Sequence, residues 1–558
     1  MHALLFGVAA VGCAPSQATP SPDDPPPIDK QIAGLAPARL GSAPALDKLI
    51  TTYYGTQRGQ RTYIQTDKPL YQPGETIWFR ADLRDAKTLI GGPPVGVTLQ
   101  LISPRGAVVA TKRVLAQGGI ARNDFALDGA IDGGEYTIQL SGPGINDTKK
   151  VIVNTYEAPR LMKTLELLRK AYGAGDQVSA AVEIKRTTGE PFADHKLTAV
   201  VTIDDAEVSR LPITTDKEGK AIVQFQLPTQ IARGDGLLTI LAEDGGITES
   251  IQKRIPIVMT TLQLSVFPEA GDLVQGVPGR VYFMAKTTIG KPADIDGKVV
   301  DDRGTVVSTF SSIHDGMGSF ELTPAAARTY HVEIVKPANI TTKVTVPAAR
   351  PEGCVIRSVP QTTKDELRVA AICNTSRKLE IETTLREKTL ASGAFEVAAG
   401  KAALVVLPIP RTSQGAVRVT LFSTTQEPLA ERLVYHGMGA DLRVKLTPDR
   451  TAYSPRETVK LKVHTEDARG NPVKANVALA VVDETVLSFA DDKSAKIQAH
   501  LYLEPELGAT AADPIEEPNF YFGDKPEAAA AMDALLATRG YRKFEWRQVL
   551  PAAAPRSK

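Results

Sequence analysis

The sequence predicts an all-β protein built as a tandem array of immunoglobulin/fibronectin-like sandwiches, and three observations lead to this prediction. One phrase occurs twice, short alternating apolar runs bounded by Gly, Pro and Asp recur along the chain, and long amphipathic helices are scarce. A chain of 558 residues is also too long for a single hydrophobic core. We therefore expect several β-domains in series, with a short helical segment near the C-terminus.

The repeated phrase is the strongest of these observations, because an internal repeat decides the architecture of a chain. Five residues recur at one offset, 453 − 71 = 382: Asp67, Tyr71, Pro73, Glu75 and Thr76 return as Asp449, Tyr453, Pro455, Glu457 and Thr458. A fainter copy lies at 172–178. Proline fixes φ and glycine supplies a bend, so the phrase predicts a turn that leads into a strand. The spacing predicts modules of about 90–110 residues, the size of an immunoglobulin-like sandwich.

The charge balance excludes some classes of partner. Lys and Arg number 65 and Asp and Glu number 64, so the formal net charge is +1. No basic footprint for a nucleic acid or for an anionic membrane surface is present. We therefore expect no nucleic-acid partner.

The N-terminus resembles a lipoprotein-type export signal over residues 1–13. Its short apolar stretch ends in Gly12-Cys13, and in a bacterial lipobox this Cys becomes the lipidated first residue. The basic n-region is missing, so an ordinary N-terminus with a chance Cys is the alternative. We expect lipidation of Cys13, membrane contact only through that anchor, and a place in the cell envelope, in the periplasm or at the outer membrane. A Pro-rich tether and a short helix should follow over 14–59, with the helix packed on the first sandwich.

The other two cysteines, Cys354 and Cys373, bracket a predicted hairpin whose polar turn lies near 362–365. Folding this hairpin symmetrically brings its ends together, so the pair predicts a disulfide that would contribute roughly 3 kcal/mol. Two buried free thiols are the alternative. Neither reading makes these cysteines catalytic, since neither lies in an activating motif.

A search for chemistry identifies no catalytic residue, cofactor site or metal site. The histidines are dispersed and form no zinc motif; they are His2, His195, His314, His331, His436, His464 and His500. No nucleophile elbow and no phosphate-binding loop occurs. The acidic turns at 294–297 and 301–304 lack the ligand spacing of a calcium loop and predict hairpin turns, and 314–320 predicts a structural corner. We expect a protein that is not an enzyme.

Three segments resemble the alpha-2-macroglobulin family. Residues 63–76 are similar to the signature of its second macroglobulin (MG2) domain, 267–276 to the fourth domain of bacterial members, and 477–487 to the strand that begins the bait-region domain. The resemblance implies a string of seven-stranded macroglobulin sandwiches. Their expected bounds are 60–156 (MG2-like), 157–258 (MG3-like), 259–349 (MG4-like), 350–437 (MG5-like) and 438–550 (MG6/bait-region-like), followed by a disordered tail at 551–558.

The sequence departs from the family where covalent trapping is concerned. Members that trap proteases covalently carry a Cys-Gly-Glu-Gln thioester, whereas Cys13, Cys354 and Cys373 are each followed by other residues. The resemblance therefore implies no thioester in this chain. The helical thioester domain is also missing from the sequence, so the expected match is to the N-terminal half of the family architecture.

The stretch 488–530 is where a bait would lie. Its small, charged and Pro-rich residues suit a protease-sensitive loop, although 501–503 and 519–522 look strand-like. Pro526 should open a helix that ends at Gly540 and carries Asp533 and Arg539 as solvated charges. The aromatic run 541–546 should pair with the last sandwich. We expect a structural cap here in preference to a working bait.

Two functions agree with these observations. One is a non-enzymatic, endopeptidase-inhibitor-like envelope protein that binds proteases by bait cleavage and physical entrapment. The other is a structural or interaction scaffold that holds another envelope protein. Fold alone does not separate them.

Overall fold

The structure is a computed structural model, and it describes residues 28–55, 59–155, 160–437, 442–454, 456–483, 486, 496–510 and 513–541. Within these residues, strands form successive sandwiches and the helices are short, which confirms the predicted fold class. The predicted signal, most of the tether and the predicted tail lie outside the described residues. No described helix is both long enough and apolar enough to cross a membrane.

The first sandwich packs a three-stranded sheet, in the order β1-β3-β6, against a five-stranded sheet, in the order β2-β8-β7-β4-β5. Its strands are β1 (Gln60–Thr66), β2 (Leu70–Tyr71), β3 (Thr76–Asp85), β4 (Val95–Ile102), β5 (Val108–Ala116), β6 (Ile120–Ala126), β7 (Gly134–Gly142) and β8 (Ile145–Val153). Alternate residues of each sheet point inward, so Ile64, Phe79 and Leu99 meet in one core.

The second sandwich has sheets of three and four strands, in the orders β13-β10-β9 and β12-β11-β14-β15. Its strands are β9 (Leu161–Leu167), β10 (Gln177–Arg186), β11 (Lys196–Ile203), β12 (Ala206–Thr214), β13 (Lys220–Gln226), β14 (Asp235–Asp244) and β15 (Ile247–Pro256).

In the third sandwich the strands form one continuous hydrogen-bonded sheet, in the order β16-β17-β20-β19-β18-β21-β22. Its strands are β16 (Gln263–Pro268), β17 (Gly279–Lys286), β18 (Asp296–Asp301), β19 (Val306–His314), β20 (Met317–Leu322), β21 (Tyr330–Lys336) and β22 (Lys343–Thr345).

The fourth sandwich again has three and four strands, in the orders β23-β24-β27 and β26-β25-β28-β29. Its strands are β23 (Cys354–Ser358), β24 (Glu366–Cys373), β25 (Arg377–Leu385), β26 (Lys388–Val397), β27 (Ala402–Pro408), β28 (Gly415–Ser423) and β29 (Pro428–His436). Cys354 lies opposite Cys373 in the β23–β24 register, and a disulfide with an S–S distance of 2.03 Å joins them.

The fifth unit consists, among the described residues, of the pair β30 (Leu442–Pro448) and β31 (Leu461–Asp467). The repeated phrase forms the same hydrogen-bonded corner in the first sandwich and in this unit. The Tyr71 hydroxyl donates to Asp67 Oδ1 at 2.5 Å, and the Tyr453 hydroxyl donates to Asp449 Oδ1 at 2.5 Å. In each copy a glutamate then accepts a backbone N–H at the turn, as Glu75 Oε2 does from Gln72 at 2.7 Å.

In the part of the chain that the structure describes, two helices precede the first sandwich, α1 (Ile28–Ala33) and α2 (Pro44–Gly55). The prediction that α2 packs on the first sandwich is wrong. Leu46 and Ile50 are fully buried beside Phe422 of β28, so the apolar face of α2 covers the fourth sandwich. The first sandwich reaches α2 through a hydrogen bond from Lys87 to the Tyr54 carbonyl.

The last elements among the described residues are α3 (Ile497–Tyr502), two 3-10 turns (Pro505–Leu507 and Phe520–Phe522) and α4 (Ala528–Thr538). Helix α4 confirms the helix predicted after Pro526. The prediction that 501–503 and 519–522 are strand-like is wrong. The first segment lies at the end of α3, and the second forms a 3-10 turn. Residues 488–495 of the predicted bait and residues 542–546 of the aromatic run lie outside the described residues.

Candidate functional site

We call residues 496–510 and 513–541 the cap. The candidate site is the surface of the sandwiches on which the cap packs. An apolar cluster holds the cap between two sandwiches. Leu503, Tyr521 and Leu535 of the cap are at most 2% exposed, and they share a core with Tyr282 of the third sandwich and Leu433 of the fourth. Burying each such side chain stabilises the docked state by about 1.5–3 kcal/mol. The cap is therefore an integral part of the folded chain.

A buried ion network lies under α4. Arg432 of β29, whose side chain is 1% exposed, donates from Nη2 to Asp533 Oδ1 at 2.5 Å and also pairs with Glu269. The Tyr282 hydroxyl donates to the other Asp533 oxygen at 2.5 Å. Burial alone would raise the pKa of Asp533, but the Arg432 charge and the Tyr282 hydrogen bond outweigh it and hold that pKa below its ordinary value.

The prediction of solvated helix charges is therefore wrong for both residues. Asp533 belongs to this buried network, and the Arg539 side chain is 10% exposed. Its guanidinium donates to the carbonyls of Asp513 and Pro514 at 2.7 and 2.6 Å. Arg539 therefore closes the segment before α4 onto the end of that helix.

The network continues to the N-terminal helix. The buried Arg357 of β23 donates to Asp29 of α1 at 2.9 Å and to Glu321 of β20 at 2.8 Å. Arg280 of β17 reaches the same two carboxylates at 2.6 and 3.0 Å. Burial would lower the pKa of Arg357, but Glu321 and Glu269 raise it above its usual value, so the guanidinium stays charged. These contacts fix α1 and the third and fourth sandwiches together beneath the cap.

The first turn of the cap docks on the first sandwich. Arg61 of β1 donates to the Leu501 carbonyl at 2.5 Å and pairs with Glu506 at 2.5 Å. His500 of α3 lies 2.8 Å from the Thr62 carbonyl through Nε2 and 2.7 Å from Glu504 through Nδ1. Burial would lower the pKa of His500, but Glu504 outweighs it and the pKa is raised. The cap therefore contacts the first, third and fourth sandwiches.

The predicted corner at 314–320 is the β19–β20 turn, and it also packs against the cap. His314 stacks on Phe520 with ring centroids 3.7 Å apart and 6° between the ring planes. Burial and the nearby Lys170 lower the pKa of His314 to about 4, so the ring is neutral at physiological pH. Lys170 of the second sandwich pairs with both Asp315 and Glu517. Gly316 has φ of 70°, and a Cβ there would lie 2.3 Å from the Ala285 carbonyl oxygen.

The acidic segment at 301–304 is a hairpin turn as predicted, whereas the turn predicted at 294–297 is wrong, because Asp296 and Gly297 begin strand β18. Asp301 accepts backbone N–H groups from Arg303 and Thr305 at 2.9 and 2.8 Å and pairs with Arg328, so its oxygens are used in the turn itself. Across the described residues, no group of three or more His, Cys, Asp or Glu is arranged to hold a metal ion. Cys13 lies outside the described residues.

Comparisons with known proteins match two segments of the chain to domains of one family. The chain matches a model of the MG2 domain over residues 61–153 and a model of the alpha-2-macroglobulin bait region domain over 361–489. A curated alpha-2-macroglobulin from Ralstonia nicotianae is 25% identical over 213 residues. The chain thus carries two domains of the alpha-2-macroglobulin family. The alignment spans 35% of this chain and 13% of the relative, and residues 490–530 of the predicted bait lie beyond the bait-region match.

Solved structures of family members also resemble this chain. A trypsin-activated alpha-2-macroglobulin from Escherichia coli is 14% identical, with a TM-score of 0.43, over 74% of this chain and 33% of that one. A Salmonella alpha-2-macroglobulin reacted with methylamine is 15% identical, with a TM-score of 0.31, over 78% of this chain and 32% of that one. The chain thus spans about a third of these two structures.

Proposed function

We propose that this chain is a non-enzymatic, protease-binding member of the alpha-2-macroglobulin family that acts as an endopeptidase inhibitor without thioester chemistry. Family membership supports protease binding in broad terms. The disulfide supports the lack of a thioester, because it occupies the sulfurs of Cys354 and Cys373. The observation that carries the proposal is the cap, which four sandwiches hold directly after the link formed by residues 487–495 of the sequence.

The position of the cap determines which parts of the chain a proteolytic cut would separate. Val486 packs on Leu70 of the first sandwich, and the cap begins at Lys496. The sequence between them contains Asp491, Asp492 and Lys493, which are residues that suit a protease-accessible link. We propose that a cut in this link separates the fifth unit from the cap. The fifth unit can then move while the cap stays in its seat, and this rearrangement traps the protease physically.

The proposed location is the cell envelope, with the chain anchored through a lipid on Cys13. The signal-like sequence of residues 1–13 and the prolines that follow it support this proposal. The disulfide supports it as well, because such bonds persist in oxidising compartments. Metabolic labelling with a radioactive fatty acid should mark the wild-type chain and should fail to mark Cys13→Ser.

Limited proteolysis with trypsin tests the cleavage step. We expect one early cut between Val486 and Ile497, because Lys493 and Lys496 lie there. A Lys493→Gln and Lys496→Gln double variant should lose this cut and should no longer retain trypsin. The matched control is Lys525→Gln, an exposed lysine of the cap, which should behave as wild type. Early cutting elsewhere, with trypsin left free, would count against the proposal.

One observation favours the alternative, a structural scaffold that holds another envelope protein. Residues 496–510 and 513–530 of the predicted bait pack on the sandwiches. This packing is typical of a fixed structural element and not of an exposed bait loop. For a scaffold, trypsin should cut indifferently at links between sandwiches and its activity should be unchanged. The double variant above separates the two functions, since a scaffold gives the same trypsin activity with and without the two lysines.

A further inference from the structure

His500 of α3 holds the first turn of the cap against the first sandwich through both nitrogens of its ring. Nε2 lies 2.8 Å from the Thr62 carbonyl oxygen of β1, and Nδ1 lies 2.7 Å from Glu504 Oε2. β1 is the edge strand of its sheet. Leu83, which pairs with Thr62 in β3, donates its N–H to Gly119, so the Thr62 carbonyl points away from the sheet and toward the cap. His500 therefore takes the place that a neighbouring strand would take.

The two partners of the ring share one property, because each of them can only accept a hydrogen bond. A carbonyl oxygen and an ionised carboxylate have no hydrogen to donate. A neutral imidazole carries one N–H, so it satisfies one partner and turns a lone pair toward the other. An imidazolium carries two N–H groups and satisfies both partners. The docked position of α3 therefore requires a protonated His500.

The charges around His500 favour the same form of the ring. Glu504 and Glu506 of the cap and Asp147 of β8 are acidic, and Arg61 of β1 is paired with Glu506 at 2.5 Å. Burial, the largest single effect, lowers the pKa of His500, but Glu504 and Asp147 outweigh it and raise that pKa above its ordinary value. Electrostatics and hydrogen-bond geometry therefore agree on the charged ring.

The other titratable groups around α3 keep one form between about pH 5 and 8, the range in which histidine changes charge. Tyr63 of β1 lies with its ring centroid 5.4 Å from that of His500, and a tyrosine is neutral in this range. Burial raises the pKa of Tyr521, which lies in a 3-10 turn that packs on α3. Arg386 of the fourth sandwich lies over the ring of Tyr502, and an arginine stays charged.

We propose that His500 is a pH-sensitive latch between the cap and the first sandwich. The protonated ring fastens α3 to β1, whereas the neutral ring loses one of its two hydrogen bonds and loosens α3. The side chain is 32% exposed, so protons from solvent reach the ring. The cap begins directly after the link at 487–495, so the latch sets how firmly the C-terminal end of that link is held. It acts in the same way whether or not a protease cuts the link.

The direction of the pH dependence follows from the raised pKa. The stabilisation of the docked cap by His500 is complete below the ordinary histidine value of 6.5, where the ring is protonated in both the docked and the undocked cap. It is lost as the pH rises through the pKa of the docked ring. The first turn of the cap should therefore be held most firmly in mildly acidic solution and should open more readily in mildly alkaline solution.

Hydrogen exchange followed by mass spectrometry, in a series from about pH 5.5 to 8.5, tests the latch across the titration of histidine. The exchange rate of the α3 amides is divided by that of the α4 amides in the same sample, which removes the pH dependence of the exchange chemistry. In the wild type this ratio should rise roughly tenfold across the series, because one charge-assisted hydrogen bond is lost.

Two variants distinguish a latch from a merely structural contact. In Glu504→Gln the amide N–H can donate to Nδ1 of a neutral ring while Nε2–H donates to Thr62, so the ratio should stay low at every pH. In His500→Gln no group titrates, so the ratio should be high and independent of pH. The matched control is His464→Gln, because His464 is a histidine beside a glutamate in the fifth unit, and this variant should keep the wild-type slope.

NMR of the chain labelled with ¹³C in its histidine rings measures the titration of His500 directly. The pKa of His500 should lie above 6.5 in the wild type and should fall in Glu504→Gln. Circular dichroism checks that each variant keeps the fold. A wild-type ratio that does not change with pH, a wild-type slope that persists in either variant, or a pKa at or below the ordinary value would overturn the proposal.

Discussion

Replacing Asp533 by Asn should loosen the cap without changing its shape. Asn keeps the volume of Asp533 and an oxygen for the Tyr282 hydroxyl, but it removes the negative charge opposite Arg432. Removing one partner of a buried pair costs about 3–5 kcal/mol. Arg432 keeps Glu269 as a partner, so we take the lower end of that range, about 3 kcal/mol. This corresponds to roughly a hundredfold increase in the equilibrium constant for opening of the cap.

Hydrogen exchange followed by mass spectrometry measures this opening directly. Amides of α4 should exchange roughly a hundred times faster in Asp533→Asn than in wild type, while amides of the second sandwich should be unaffected. Asp524→Asn is the matched control, because Asp524 is an exposed carboxylate just before the same helix. If Asp533→Asn changes the exchange of α4 no more than this control does, the buried network does not hold the cap and the reasoning is refuted.

Three further predictions concern stability. Burial raises the pKa of Glu382 from 4.5 to about 8, so the folded chain keeps a proton that the unfolded chain loses, and the free energy of unfolding should fall as pH rises between these values. Glu382→Gln should remove this slope in urea unfolding series, and parallel wild-type and variant profiles would contradict it. Replacing Cys354 and Cys373 by Ser should lower the unfolding free energy of the fourth sandwich by about 3 kcal/mol, and an unchanged denaturation midpoint would count against this. Tyr71→Phe should cost about 1–2 kcal/mol because its hydroxyl lies in a buried corner, whereas the exposed Tyr453→Phe should cost less than about 0.5 kcal/mol; equal losses would show that burial is irrelevant.

The fold class could be predicted because its signals are local in sequence. The corner around Tyr71 needs Asp67 four residues before it and Glu75 four residues after it, so the whole hydrogen-bonded motif fits in one phrase. The helix after Pro526 can be predicted for the same reason, because Pro526 and Gly540 each lie two residues beyond its ends. Periodicity and turn residues act over the same short range as these contacts.

The surface on which the cap packs could not be predicted, because the contacts between the cap and the sandwiches join residues far apart in sequence. Asp533 looks like an ordinary surface charge until β29 places Arg432 beside it, 101 positions earlier in the chain. The same holds for α2, whose apolar stripe predicts burial but does not say which sandwich it covers. For His314 the sequence predicts only part of the arrangement: its glycine-rich turn indicates a corner, but nothing local in the sequence indicates the stacking on Phe520.

The co-elution of trypsin with the cleaved chain tests the central claim of this account most directly. After limited digestion, gel filtration should show trypsin travelling with a chain whose hydrodynamic radius has decreased, because severing the link before the cap lets the fifth unit close on the protease. Trypsin that elutes separately from a cleaved chain of unchanged radius would contradict the claim.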